Sequence, residues 1–106
     1  MIRHYLIALM IFLGCLAPVS AVWAHTLYMN LVDNDDGTVT VEAMFSTGSS
    51  GAGLPLYLKD NSQNTIRKFI LDENGEITFD IPDQPYTVFL DGGPGHTVRK
   101  DGPSRP

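Results

Sequence analysis

The stretch Asn74-Gly75-Glu76-Ile77-Thr78-Phe79-Asp80-Ile81 decides the class of fold. Its first two residues tolerate positive φ and together form the strongest short-range hairpin signal a sequence offers. Behind them Ile77, Phe79 and Ile81 alternate with Thr78 and Asp80. That period of two sends one set of side chains to a buried sheet face and the other to solvent. The same pattern continues outward in both directions. Leu27, Met29 and Leu31 alternate with Tyr28, Asn30 and Val32, and Val39, Val41, Ala43 and Phe45 share the next inward face. Leu54 to Leu58, Ile66 to Leu71, the set Tyr86, Val88 and Leu90, and a short charged strand opened by His96 complete the series. No segment sustains the 3.6-residue period of a helix.

Between these runs lie turn-forming residues: Asp33-Asn34-Asp35-Asp36-Gly37, the Gly/Ser-rich segment Ser46 to Gly53, Asp60 to Asn64, Pro82 to Pro85, and Gly92-Gly93-Pro94-Gly95. About seven short strands at regular spacing predict an all-β domain, a two-sheet β-sandwich of the immunoglobulin-like kind rather than a closed barrel. It is one domain without internal repeat, covering residues 25–100. Residues 101–106, Asp-Gly-Pro-Ser-Arg-Pro, offer nothing to bury and are expected to form a flexible tail.

Residues 1–24 read differently. Arg3 precedes an apolar run from Tyr5 to Ala17, followed by Pro18 and small residues up to Ala24. This is the pattern of a cleavable secretory signal peptide. The run is short of the roughly 20 residues of a membrane span, and no second one follows, so no transmembrane segment is expected in the mature chain. Small residues at Val22 and Ala24 favour cleavage before His25; Val19-Ser20-Ala21 is the alternative site and would leave Val22 first. Cys15 follows a faint lipoprotein-like box, but bulky Phe12 and Leu13 precede it, and it reads as one more apolar residue of the leader. The expected location is the periplasm.

Removing the leader leaves 82 of the 106 residues, without cysteine and with two histidines, His25 and His96. Arg3 is the only one of the seven basic residues lost, so six Lys or Arg face twelve Asp or Glu. That balance disfavours nucleic acid and anionic membrane surfaces and suits cations.

Cleavage before His25 would place an α-amine and an imidazole on one residue, a bidentate chelate whose two groups lose protons near neutral pH. The only other imidazole, that of His96, would complete three nitrogen donors in a histidine brace. If the first and last strands pair in parallel, the two histidines meet at one end of the sheet, and Gly92, Gly93 and Gly95 let the backbone approach closely there. The expected ligand is a divalent transition-metal ion, Ni²⁺, Co²⁺ or Cu²⁺. The plainer alternative is a solvated histidine before a strand and an ordinary glycine turn.

Other features are weaker. The Asp33 to Gly37 run lacks the spacing of a calcium loop and has Met44 where the closing Glu belongs. Met29 falls on the apolar face and Met44 on the opposite one, where its thioether is available to a soft ion. Tyr28 and Asp91 are outer-shell candidates by adjacency. No nucleophile, base and orienting group can be assembled, and phosphate and dinucleotide motifs are absent, so no enzyme activity is expected.

Four segments together resemble one family: Ala24-His25-Thr26-Leu27; Val41-Glu42-Ala43-Met44-Phe45-Ser46 with its Gly-containing loop; Leu71-Asp72-Glu73-Asn74-Gly75-Glu76-Ile77-Thr78-Phe79-Asp80-Ile81-Pro82; and Asp91-Gly92-Gly93-Pro94-Gly95-His96. They are similar to the periplasmic accessory components of energy-coupling-factor nickel and cobalt uptake systems, which carry a carboxypeptidase-regulatory-like, transthyretin-like β-sandwich domain. The third segment speaks to fold alone. The pairing of Ala-His at the cleavage point with Gly-x-Gly-His near the end implies metal ligands at His25 and His96 and a membrane-bound metal uptake transporter as partner. Many such relatives continue into a membrane helix, whereas this sequence ends at Pro106. Two other classes compete. One is a sandwich that docks a protein or glycan without metal. The other is an oxidative copper enzyme built on a similar brace, for which the chain lacks a flat aromatic surface, since Trp23 leaves with the leader.

Overall fold

The computed structural model describes residues 25–106; the expected signal peptide, Cys15 and the cleavage site after Ala24 lie outside the described residues. Seven strands follow one another: β1 (Leu27–Asp33), β2 (Thr38–Phe45), β3 (Pro55–Lys59), β4 (Thr65–Ile70), β5 (Glu76–Asp80), β6 (Thr87–Asp91) and β7 (Thr97–Asp101). They form two antiparallel sheets, one in the order β1-β2-β5 and the other β4-β3-β6-β7. The protein is an all-β two-sheet sandwich. Among the described residues no helix is long and apolar enough to cross a membrane.

The alternation read from the sequence is what closes the core. Leu27, Met29, Val39, Val41, Ala43 and Phe79 from one sheet face Leu56, Leu58, Val88 and Leu90 from the other, all buried. Leu71, Ile81 and Tyr86 fill the ends from positions just outside their strands. Burying a side chain of Leu or Val size contributes roughly 1.5–3 kcal/mol, so this set is the main source of stability in a domain without cysteine. Met29 is 4% exposed and Met44 55% exposed, as their opposite positions in the pleat require.

One expectation is corrected. Asn74-Gly75 does not join a hairpin: β4 and β5 lie in different sheets, and the turn carries the chain from one layer to the other. The turn is locally closed, with Asp72 N–H donating to the Glu76 carbonyl and Gly75 N–H to the Asp72 carbonyl, while the Asp72 carboxylate accepts from the Asn74 and Glu76 N–H groups. What redirects it is β2. Ala43 N–H donates to the Gly75 carbonyl at 2.9 Å, and a Cβ at Gly75 would fall 2.7 Å from the Ala43 oxygen and 2.7 Å from the Gly51 nitrogen. The positive φ of 76° is real, but glycine is needed as much for this approach as for the turn.

The last residues are placed against the body of the domain. Asp101 pairs with Thr87 in β7, Gly102 N–H donates to the Tyr86 carbonyl, and Arg105 Nε reaches the Ile81 carbonyl at 2.8 Å and the Asp83 carboxylate at 3.3 Å.

Candidate metal site

His25 leads into β1 and is exposed. The β1–β2 ladder fixes its surroundings. Leu27 pairs with Phe45, and just beyond, Ser46 N–H donates to the Thr26 carbonyl at 2.8 Å while Thr26 N–H donates to Ser46 Oγ at 3.1 Å. The Phe45 ring in turn meets the His96 ring edge-on, with centroids 6.3 Å apart and planes at 77°. Leu27 also closes on the loop that carries His96: a Cβ at Gly92 would lie 2.7 Å from Leu27 Cδ2 and 2.7 Å from the His96 carbonyl oxygen. The two histidines therefore share one end of the sandwich.

They do so by a different route from parallel pairing. β1 and β7 are edge strands of different sheets, packed across the sandwich rather than hydrogen-bonded. Both run away from the shared end, so both strand starts lie there.

The loop before β7 satisfies its own backbone. Gly92 N–H donates to the His96 carbonyl, His96 N–H to the Gly93 carbonyl, and Gly93 N–H to the Asp91 carboxylate, with Gly93 and Gly95 at φ of 99° and 77°. The remaining polar atom is in the imidazole: His96 Nδ1 is enclosed without a hydrogen-bond partner. A buried polar atom left in this state costs about 1–3 kcal/mol. An imidazole held half-buried by Phe45 and the glycine loop is a preoriented donor of the type that suits nickel, copper and zinc ions. Among the described residues no three His, Cys, Asp or Glu side chains gather into a metal-holding group. A three-nitrogen site at this end therefore depends on the His25 backbone amine as its third donor.

The other sequence candidates fall elsewhere. The Asp91 carboxylate is engaged by its own loop. Tyr28 and Met44 are cross-strand partners on the outer face of the three-stranded sheet, each 55% exposed. The Asp33 to Gly37 segment is a self-bonded turn, in which Asp33 accepts from Asp35 N–H and Asp36 accepts from the hydroxyl and N–H of Thr38. The Thr38 hydroxyl, followed by its N–H, holds the Asp36 carboxyl below its ordinary pKa. Phe45 as the wall behind His96 escapes a reading of the sequence, and Gly92, expected to allow a close approach, does so at the point where Leu27 and His96 converge. Phe45 is flagged only as the last inward residue of its strand.

Comparison of the chain with protein-family models, with curated proteins and with solved structures finds no match.

Proposed function

We propose that the protein is a non-enzymatic metal-binding accessory protein of the periplasm, which takes up one divalent transition-metal ion through the His25 α-amine, the His25 imidazole and the His96 imidazole. The observation that carries the reading is the enclosed, unpartnered Nδ1 of His96 at the end of the sandwich where His25 enters. The resemblance to accessory components of nickel and cobalt uptake systems favours Ni²⁺ or Co²⁺ as cargo and a membrane-bound transporter as recipient. Three nitrogen donors bind Cu²⁺ more tightly than either by the Irving–Williams order, so supply and partner, rather than affinity, select the ion.

The chemistry asks little of the scaffold beyond positioning. Phe45 and the Gly92–Gly95 loop orient one imidazole, and the Thr26–Ser46 pair anchors the backbone one residue from the other. Donors must be deprotonated to bind, so affinity falls as pH drops through the range where amine and imidazole take up protons. The test is calorimetric titration of Ni²⁺ and Cu²⁺ into protein beginning at His25 and into the same protein carrying one extra N-terminal glycine. Loss of most of the affinity in the extended form is expected, because the amine is displaced from the ring. Equal affinity in both forms would refute the three-nitrogen site.

A further inference from the structure

The outer face of the four-stranded sheet carries a feature that the linear sequence does not display. The register of its ladders sets Lys68 opposite Tyr57, Tyr57 opposite Phe89, and Phe89 opposite Arg99. One row across all four strands therefore reads cation, aromatic, aromatic, cation. Lys68 Nζ stands 5.6 Å from the Tyr57 ring centre and the Arg99 guanidinium 5.4 Å from that of Phe89. Lys59, two residues along β3, adds a third cation, 4.6 Å from the Phe89 centre and 5.9 Å from that of Tyr57. Each lies within the range of a cation–π contact, and the rings hold the three charges in one place.

Among the described residues these three charges form no ion pair. From His25 onward the chain holds six Lys or Arg against twelve Asp or Glu, yet three of the six basic residues stand on this face. Among the described residues the one ion pair is Arg105 with Asp83, at the edge of the domain and not in this row. Asp91 and Asp101 lie at the two ends of the face, paired in register with Thr97 and Thr87. Charges beyond a Debye length of about 8 Å at physiological salt are largely screened, so a ligand on this face meets the local cations more than the acidic total.

We infer that this row is a docking surface for an extended acidic segment of a partner protein. Three interstrand steps of roughly 4.8 Å separate Lys68 from Arg99, about 14 Å in all. An extended chain rising about 3.3–3.6 Å per residue covers that distance in about four residues, so carboxylates at that spacing meet both ends of the row. A lipid surface is the poorer fit. Both rings are half-buried beneath their cations, and Ile70 is the only large apolar side chain more than half exposed on this face, leaving little to insert.

The test uses ¹⁵N-labelled protein titrated with a ten-residue peptide of alternating Gly and Glu, its Gln counterpart, and vesicles of phosphatidylglycerol with phosphatidylcholine. The Glu peptide is expected to shift the amides of β3, β6 and β7 around the row and to bind at least tenfold more weakly at 300 mM than at 50 mM salt. The Gln peptide is expected not to bind. K59Q/K68Q/R99Q, exposed or half-exposed changes outside the core, should lower affinity at least tenfold, and Phe89→Leu should lower it several-fold by releasing two of the cations. Unchanged affinity in the triple variant, shifts confined to other surfaces, or binding to vesicles without binding to the Glu peptide would each overturn the inference.

Discussion

The two ends of the sandwich, separated by the length of β6, each hold one enclosed polar atom without a partner, His96 Nδ1 at one end and Tyr86 Oη at the other. They are finished differently. Over Tyr86 the chain closes its own cover: Gly102 lies so near the ring that a Cβ there would stand 2.0 Å from Tyr86 Cε2, and Arg105 fastens the segment to Ile81 and Asp83. Burial, aided by the negative charge of Asp33, pushes the Tyr86 hydroxyl up to about 12, so it stays neutral and inert. At the His96 end the ring meets Phe45 edge-on, the exposed His25 lies at the same end of the sandwich, and the orphaned atom is an imidazole nitrogen. The same defect is structural where the chain covers it and becomes a candidate site where a second histidine lies at the same end.

The sharpest way to separate the ends is at the ligands. His96→Ala should reduce Ni²⁺ or Cu²⁺ affinity by more than the roughly 10–100-fold that loss of an outer partner costs, measured by calorimetry. Tyr86→Phe should leave the affinity unchanged. Next in size is packing at the covered end. Gly102→Ala forces the ring or the tail to move and should cost about 1–3 kcal/mol, read from the denaturant midpoint, with metal affinity intact. A smaller effect is expected of Tyr86→Phe on stability, because the hydroxyl it removes has no partner; the midpoint should hold or rise by up to about 1 kcal/mol. The smallest is a dependence on alkaline pH. With the folded pKa raised from 10.0 to about 12, the unfolded chain releases the Tyr86 proton first. The contribution of the neutral hydroxyl is fully present below pH 10 and is lost as pH rises through about 12. Denaturant midpoints at pH 9 and 11 should diverge more in the wild type than in Tyr86→Phe.

What was legible in the sequence follows the same division. Period-two alternation assigns faces, so the inward sets Leu27/Met29 and Val39/Val41/Ala43, and the outward Met44, could be read directly. Alternation does not say which strand pairs with which, and Asn74-Gly75 shows the consequence: its turn chemistry is strong, but the bond from Ala43 to Gly75 sends β5 to the other sheet. Nor could the tail be read, since Gly102 matters only once the Tyr86 ring is in place. The histidines stood out because residues 25–106 contain just two. Their shared end, reached through Phe45, Leu27 and Gly92, depends on contacts between sheets that no linear spacing encodes.

The most direct test of the central claim is to express the full sequence and measure the native mass of the protein in the periplasmic fraction, with and without added Ni²⁺ or Cu²⁺. The account predicts a chain beginning at His25 that gains one metal ion, with the gain abolished in both His25→Ala and His96→Ala. A chain beginning at Val22 or at a lipidated Cys15, or a metal adduct that survives His96→Ala, would contradict it.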